Sequence, residues 1–282
     1  MNLNNKVEKI KDKVKGKISF NENLSNFSWF NLGGPAKIVF RPDNLKDLSI
    51  FLKELNASER IRVLGVGSNT LIRDGGFNGI IVKFGKAFSH ISLFSESKLV
   101  AGAGALDVQV SDYALVNSLS GFEFLSCIPG TIGGAIRMNS GCYNEEISKI
   151  LISVQAMDLM GNIRVIPSSK IKFYYRGSDL DTNLIFISAT FKGKISNKTD
   201  IKKKIDFFTE EKKRSQPTKI KTCGSTFKNP KKEKAWKLIK NSGCDGMSVG
   251  DAQISDKHCN FFVNNGKAKS SDLEKLINKV KK

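Results

Sequence analysis

The sequence predicts an α+β protein in which two β-rich units, each carrying a glycine-rich loop, precede a smaller α+β unit. Three observations carry this reading. The stretch GFEFLSCIPGTIGGAIRMNSGCY, residues 121–143, gathers Gly130, Gly133, Gly134 and Gly141 into one segment. Glycine lacks the Cβ that keeps a backbone from its neighbours, and its permissive torsions let successive N–H groups converge on an anion such as a phosphate. A second glycine loop, Gly65-Val66-Gly67-Ser68-Asn69-Thr70, lies within residues 62–84, between an apolar strand and the strand around Ile80-Ile81-Val82. The third observation is the lysine-rich helical stretch DIKKKIDFFTEEKKRSQP, ended by Pro217, which sets off the last unit.

Either loop alone reads as a plain connector. Two of them on separate β-rich segments point to a pyrophosphate gripped from two sides. The first loop fits neither common phosphate-loop pattern: no Walker lysine follows it, the third glycine of the dinucleotide fingerprint is missing, and no helical stretch comes behind it. That argues against an ordinary ATPase or Rossmann dehydrogenase.

Taken in order, residues 1–26 are an extension in which a charged helix leads into a strand. The first unit, 27–90, opens at FSWFNLGGPAKIVFRP with a Gly-Gly turn before an apolar strand. Leu45, Leu48, Phe51, Leu52 and Leu55 then recur at helical spacing, and a strand, the first loop and another strand complete a β-α-β-β unit. In the second unit, 91–200, LVAGAGALDVQVSDYALVNSLSGFEFL gives a strand, a turn and a helix leading to the second loop. The strands LISVQAMDLM, GNIRVIP and LIFISATFKG follow, with KIKFYYRGSDL between the last two. The third unit, 201–282, holds KTCGSTFKNP, a helix around Trp236 and the strand HCNFFVNNG.

Composition narrows the function. The formal net charge is +19, but only eight of the 46 basic residues are arginine, and the densest runs, such as Lys202-Lys203-Lys204, are short and interleaved with acids. Solvated helix faces account for them, and no array of arginine interleaved with aromatics points to nucleic acid. No apolar run approaches the roughly 20 residues of a membrane span, and the lysine-rich start has no apolar stretch behind it, so a cytoplasmic location is expected. The five cysteines are widely spaced with no C-x-x-C pair and only two histidines accompany them, so neither a disulfide framework nor a metal site is expected.

The ordered motifs WFNLGGPA, GVGSNTLIRDGG, GFEFLSCIPGTIGGAIRMNSGCY, YYRGSDL, CGSTFKNP and HCNFFVNNG resemble the UDP-N-acetylenolpyruvoylglucosamine reductase family. The likeness runs from about residue 27 to 280, and the compact spacing after Tyr175-Arg176-Gly177-Ser178 is similar to its shorter, type II branch. It implies a two-part FAD-binding domain of the vanillyl-alcohol-oxidase (PCMH) type followed by a smaller α+β substrate-binding domain. It also implies NADPH as co-substrate and reduction of the enolpyruvyl ether of UDP-N-acetylenolpyruvoylglucosamine to UDP-N-acetylmuramate, a peptidoglycan precursor. Hydride arrives at C3 and a proton at C2.

Residue by residue, Arg176 matches the family arginine that stabilises the enolate-like intermediate, and Ser225 the serine that donates the proton. Tyr175, Lys228 and Asn229 match substrate-binding positions. Gly65, Gly67, Ser68, Asn69, Gly130, Thr131, Gly133, Gly134 and Asn139 match flavin-binding ones. Tyr143 is open between lining the flavin pocket and a structural role, and His258 reads as a core residue. Neither loop contains a histidine to bond the flavin, so noncovalent FAD is expected; Cys127 is the one residue placed to do otherwise. A monomer is expected.

The family pattern closes with a glutamate in a Glu-Val or Glu-Ile pair that assists the arginine. Here the sequence given ends at KLINKVKK, and Glu274 does not match; either the sequence is truncated or another carboxylate substitutes, and truncation is the expectation. A flavin-binding relic with impaired catalysis is one alternative. Another FAD oxidoreductase of the superfamily is a second, against which Ser225 within GSTFKNP argues.

Overall fold

The charged start folds as the helix Leu3–Lys11, with the Asn2 side chain capping its first turn. The structure, a computed structural model, describes residues 2–282. A four-stranded sheet follows, in the order Lys17–Asn23, Pro35–Arg41, Phe77–Val82, Ile61–Val63. The last two strands are parallel, with Ile61 opposite Ile80 and Val63 opposite Val82. The helix Leu45–Leu55 buries Leu48, Phe51, Leu52 and Leu55 in the core, as its spacing predicts, and Phe51 stacks on Phe40 of the sheet at 3.9 Å between ring centroids.

An antiparallel five-stranded sheet carries the second glycine segment. Its order is Ile163–Pro167, Leu151–Met157, Ile185–Lys192, Lys98–Gly102, Ile91–Ser95. The helices Asp107–Val116 and Ile132–Arg137 bury Val110, Ala114, Ile132 and Ile136 in a core shared with Leu99, Val154 and Phe191 of this sheet. A third core gathers Phe30 and Leu32 with Ile239, Ile254, Phe262, Leu273 and Leu276, beside a small sheet of Ser248–Val249, Ala252–Ile254 and Phe262–Asn264. No helix of the described residues is long and apolar enough to cross a membrane.

By contact, the chain divides into two units built from non-contiguous segments. The first takes the chain up to Phe20, then Lys37–Gly65 and Gly79–Glu210; the second takes Asn21–Ala36, Val66–Asn78 and Glu211–Lys282. The WFNLGG stretch and most of the first glycine loop thus fold with the C-terminal segment, because Phe30 and Leu32 find their apolar partners there. The helix Lys198–Ser215 runs through the 200/201 point at which the sequence places its last boundary.

One buried acid ties the start of the first unit together. Asp47 accepts the N–H groups of Lys15 and Gly16, each at 2.7 Å, and of Asp43 at 2.9 Å, while its own N–H is capped by Asn44 Oδ1 at 3.0 Å. Buried donors left without an acceptor are costly. Asp47→Ala is expected to destabilise the protein by on the order of 3 kcal/mol in urea unfolding. A change under about 0.5 kcal/mol, the usual size for an inconsequential site, contradicts the role given to this carboxylate.

Candidate active site

In the first unit, the strand Ile61–Val63 continues through Leu64, whose N–H donates to the Val82 carbonyl at 3.0 Å, and delivers Gly65 to the second glycine loop. A Cβ at position 65 would lie 2.6 Å from Thr131 Oγ1, so the two loops meet at this point. Lys83, just beyond the parallel neighbour strand, donates from Nζ to the Gly65 carbonyl at 2.5 Å. Burial, and then the like charge of Arg41, hold this lysine below the ordinary pKa of its type.

The second loop is largely braced from within. The N–H groups of Gly130, Ile132 and Gly133 donate to the carbonyls of Ile128, Ala105 and Ala103, at 2.9, 3.0 and 2.9 Å. The convergence of successive amides expected from the sequence is therefore not built at these three positions. Protein packing accounts for the glycine at 130, where a Cβ would meet Asp107 Oδ2 at 2.5 Å, and makes 133 a tight position, where a Cβ would lie 3.2 Å from Ala103. Gly134 differs. It is exposed, and the nearest atom to a Cβ there would be Thr131 Oγ1 at 3.6 Å, an ordinary contact. Nothing in the protein requires glycine at 134, and the space before it is open to a ligand.

Behind this loop lies a group the sequence did not single out. Asp107 is fully buried, neither of its carboxyl oxygens has a hydrogen-bond partner, and one turn along the helix Ser111 Oγ is also buried and unpartnered. Burial pushes the Asp107 carboxyl well above the usual carboxylate range, because the charged form loses its hydration without gaining a partner.

The short helix Ile132–Arg137 runs on to Asn139, which is fully buried. Its Oδ1 accepts the Ser148 N–H at 3.0 Å and its Nδ2 donates to the Tyr174 carbonyl at 3.4 Å. Asn139 thus ties the second loop to the hairpin Phe173–Tyr174/Gly177–Ser178, whose two-residue turn is Tyr175-Arg176. Arg176 has φ +57, a value that glycine or asparagine ordinarily supplies at such a turn. Its guanidinium donates to the Gly141 carbonyl and lies 5.1 Å from the ring centroid of exposed Tyr175. Strain of this kind concentrates at functional positions. Tyr143 stacks on Phe208, with 4.6 Å between centroids, and its hydroxyl donates to the Phe208 carbonyl at 3.2 Å.

The remaining positions lie in the second unit. Gly67 is buried at φ +69, and a Cβ on it would fall 1.9 Å from the Phe27 carbonyl oxygen. Its own carbonyl accepts from Trp29 N–H at 3.2 Å and from Cys223 Sγ at 3.3 Å, so the WFNLGG, first-loop and CGSTF stretches are knitted together. Ser68 is half-buried and Asn69 exposed. Ser225 is exposed and pairs with Phe261 across an isolated bridge. Asn260 clasps the residues after it: its carbonyl accepts Thr226 N–H at 2.8 Å, and its side-chain amide exchanges two bonds with the Phe227 backbone, both 2.9 Å. Asn229 accepts the Ala235 N–H at 3.0 Å, and Lys228 is exposed. His258 accepts the Asn260 N–H at 3.2 Å and stands edge-on to Phe261.

The family of C-terminal domains of UDP-N-acetylenolpyruvoylglucosamine reductase matches residues 216–282, and a family of FAD-binding domains matches residues 36–166. UDP-N-acetylenolpyruvoylglucosamine reductase of Pelagibacter ubique is 50% identical over 98% of this chain and 92% of its own length. The protein of the same name from Paramagnetospirillum magneticum is 42% identical over 96% of this chain and 88% of its own length. The chain belongs to the UDP-N-acetylenolpyruvoylglucosamine reductase family. Its fold agrees: the crystal structure of the Thermus caldophilus reductase superposes with a TM-score of 0.84 at 30% identity, covering 95% of this chain and 94% of that one. The α+β class with an FAD-binding domain therefore holds, and FAD is the cofactor. The open face at Gly134, the meeting of Gly65 with Thr131 and the ammonium of Lys83 on the Gly65 carbonyl fit such a group. Cys127 is buried in the core behind the loop.

The sequence reading missed Lys83, Asp107, Cys223 and Asn260. Lys83, Cys223 and Asn260 lie inside or beside motifs but bond to residues distant in the chain, whereas Asp107 lies outside the motifs and its carboxyl has no hydrogen-bond partner.

Asp107 gives these contacts a pH signature. In the unfolded chain its carboxyl ionises near pH 4, whereas the folded protein keeps the proton to higher pH. The stability associated with Asp107 is full below that range and is lost as pH rises toward the folded-state pKa. Asp107→Asn, neutral at every pH, is expected to gain on the wild type as pH rises from about 4 to 8, read from urea midpoints. A constant gap between the two contradicts the neutral-acid assignment.

Proposed function

We propose that this chain is an NADPH-dependent flavoenzyme that reduces UDP-N-acetylenolpyruvoylglucosamine to UDP-N-acetylmuramate, with FAD held noncovalently. The bound flavin supplies hydride transfer. Gly65, Gly67, Ser68 and Asn69 of the first loop and Thr131 and Gly134 of the second hold it, Gly130 and Gly133 shape the second loop through their contacts with Asp107 and Ala103, and Asn139 acts as a positioning residue by fixing that loop to the Tyr174 carbonyl. Arg176 takes the substrate carboxylate, where negative charge gathers as hydride reaches C3, with Tyr175 beside it. Lys228 and Asn229 serve the substrate diphosphate.

The proton for C2 comes from Ser225. The observation that carries the reading is that Ser225 is an exposed residue on a loop which Asn260 fixes through three hydrogen bonds. A group that delivers a proton to carbon must be both accessible and held in place. A superfamily oxidase has no use for such a donor.

The test separates the half-reactions by stopped-flow absorbance of the flavin. Ser225→Ala is expected to leave reduction by NADPH within about twofold of wild type and to slow reoxidation by the enolpyruvyl substrate by on the order of 10²-fold or more. Arg176→Lys keeps the charge but loses the planar fork, and is expected to slow the same step by at least about 10-fold. Equal slowing of both half-reactions by Ser225→Ala removes Ser225 from the proton-donor role, and wild-type FAD protein that the substrate does not reoxidise overturns the function.

A further inference from the structure

A flavin diphosphate carries two negative charges that neutral amides must otherwise hold alone. In the second loop three amides, those of Gly130, Ile132 and Gly133, already donate to protein carbonyls. A side-chain charge near the place where the loops meet would compensate for the amides spent in this way. Lys83 stands there. It directly follows the strand Phe77–Val82, and the parallel neighbour Ile61–Val63 runs through Leu64 into Gly65. Both residues lie beyond the carboxyl ends of parallel strands, the end at which open sheets bind their ligands.

The lysine is anchored by donating to the Gly65 carbonyl at 2.5 Å, and Gly65 is the residue that abuts Thr131. Arg41, on the adjoining strand, adds a second positive charge close enough to act on Lys83. The side chain of Lys83 is half-buried, so a ligand can still reach it, unlike the fully buried Asp107. Two like charges in a partly desolvated place oppose one another, and a dianion relieves both the repulsion and the burial.

We infer that Lys83, backed by Arg41, is the cationic seat of the flavin diphosphate, its ammonium bridging the Gly65 carbonyl and a phosphate oxygen. This rests on the reading that the two glycine loops hold FAD. Lys83 is a cofactor-binding residue in this assignment and takes no part in hydride or proton transfer.

The experiment titrates FAD into the full chain freed of its flavin, comparing wild type, Lys83→Met and Lys83→Arg from low to high sodium chloride. Lys83→Met is expected to weaken FAD by about 10- to 100-fold at low salt, the usual worth of a hydrogen bond to a charged group, with the gap narrowing as salt rises. Lys83→Arg, which keeps the charge, is expected to stay within about threefold of wild type. The inference is overturned if Lys83→Met binds FAD like the wild type at low salt. It is equally overturned if both variants lose affinity to the same extent at every salt concentration, which is the behaviour of a packing residue. A wild-type chain that binds no FAD would instead overturn the reading of the loops, and shows itself before any variant is compared.

Discussion

Gly65 and Thr131 stand too close for any side chain at position 65, and this approach turns two loops far apart in the sequence into one surface. Several independent features converge to hold it. The parallel pair Ile61–Val63 and Phe77–Val82 fixes where the first loop leaves its sheet, and Lys83 holds the Gly65 carbonyl. On the other side, Thr131 is paired with Leu106 in an isolated bridge, with Asp107 N–H donating to Gly130 and Ile132 N–H to Ala105. A surface built this way depends on backbone placed by two sheets, so its tolerance for a misplaced methyl group is small.

The same region carries features that packing alone would not select. Arg176 holds a left-handed backbone that glycine would adopt more easily, and Asp107 keeps a carboxyl in the core without a partner. Local rules are broken in this way chiefly where chemistry or binding needs a particular group. Asn139 and Asn260 show the complementary device. Each is buried, and each spends its amide on loop backbone, so that Arg176 and the Ser225 loop are presented by supports that do not themselves face solvent.

Much of the fold was legible in the sequence because its signals are local. The face Leu48, Phe51, Leu52 and Leu55 declares its helix by spacing, and the glycine clusters at 65–67 and 130–134 declare close approaches by composition. What each glycine approaches was not legible. Gly67 lies under the Phe27 carbonyl, and Gly130 and Gly133 answer to Asp107 and Ala103, while Gly134 alone among these faces open space. Such partners are set by contacts between distant segments, and no periodicity encodes them. For the same reason nothing local distinguishes Lys83 among the chain's many lysines, and the WFNLGG stretch adjoins the first unit in sequence although its apolar side chains pack with Ile239, Phe262 and Leu273.

The most direct test of the account is a double-mutant cycle on FAD affinity at Gly65 and Thr131. In Gly65→Ala the new Cβ falls 2.6 Å from Thr131 Oγ1 and must push the loops apart, whereas with Thr131→Ala the obstructing oxygen is gone. The account predicts a loss of FAD binding of at least about 10-fold in Gly65→Ala, and strong coupling, so that the double variant binds FAD more tightly than Gly65→Ala alone. If Gly65→Ala binds FAD as the wild type does, or if the two substitutions simply add, the loops do not hold the cofactor through this contact.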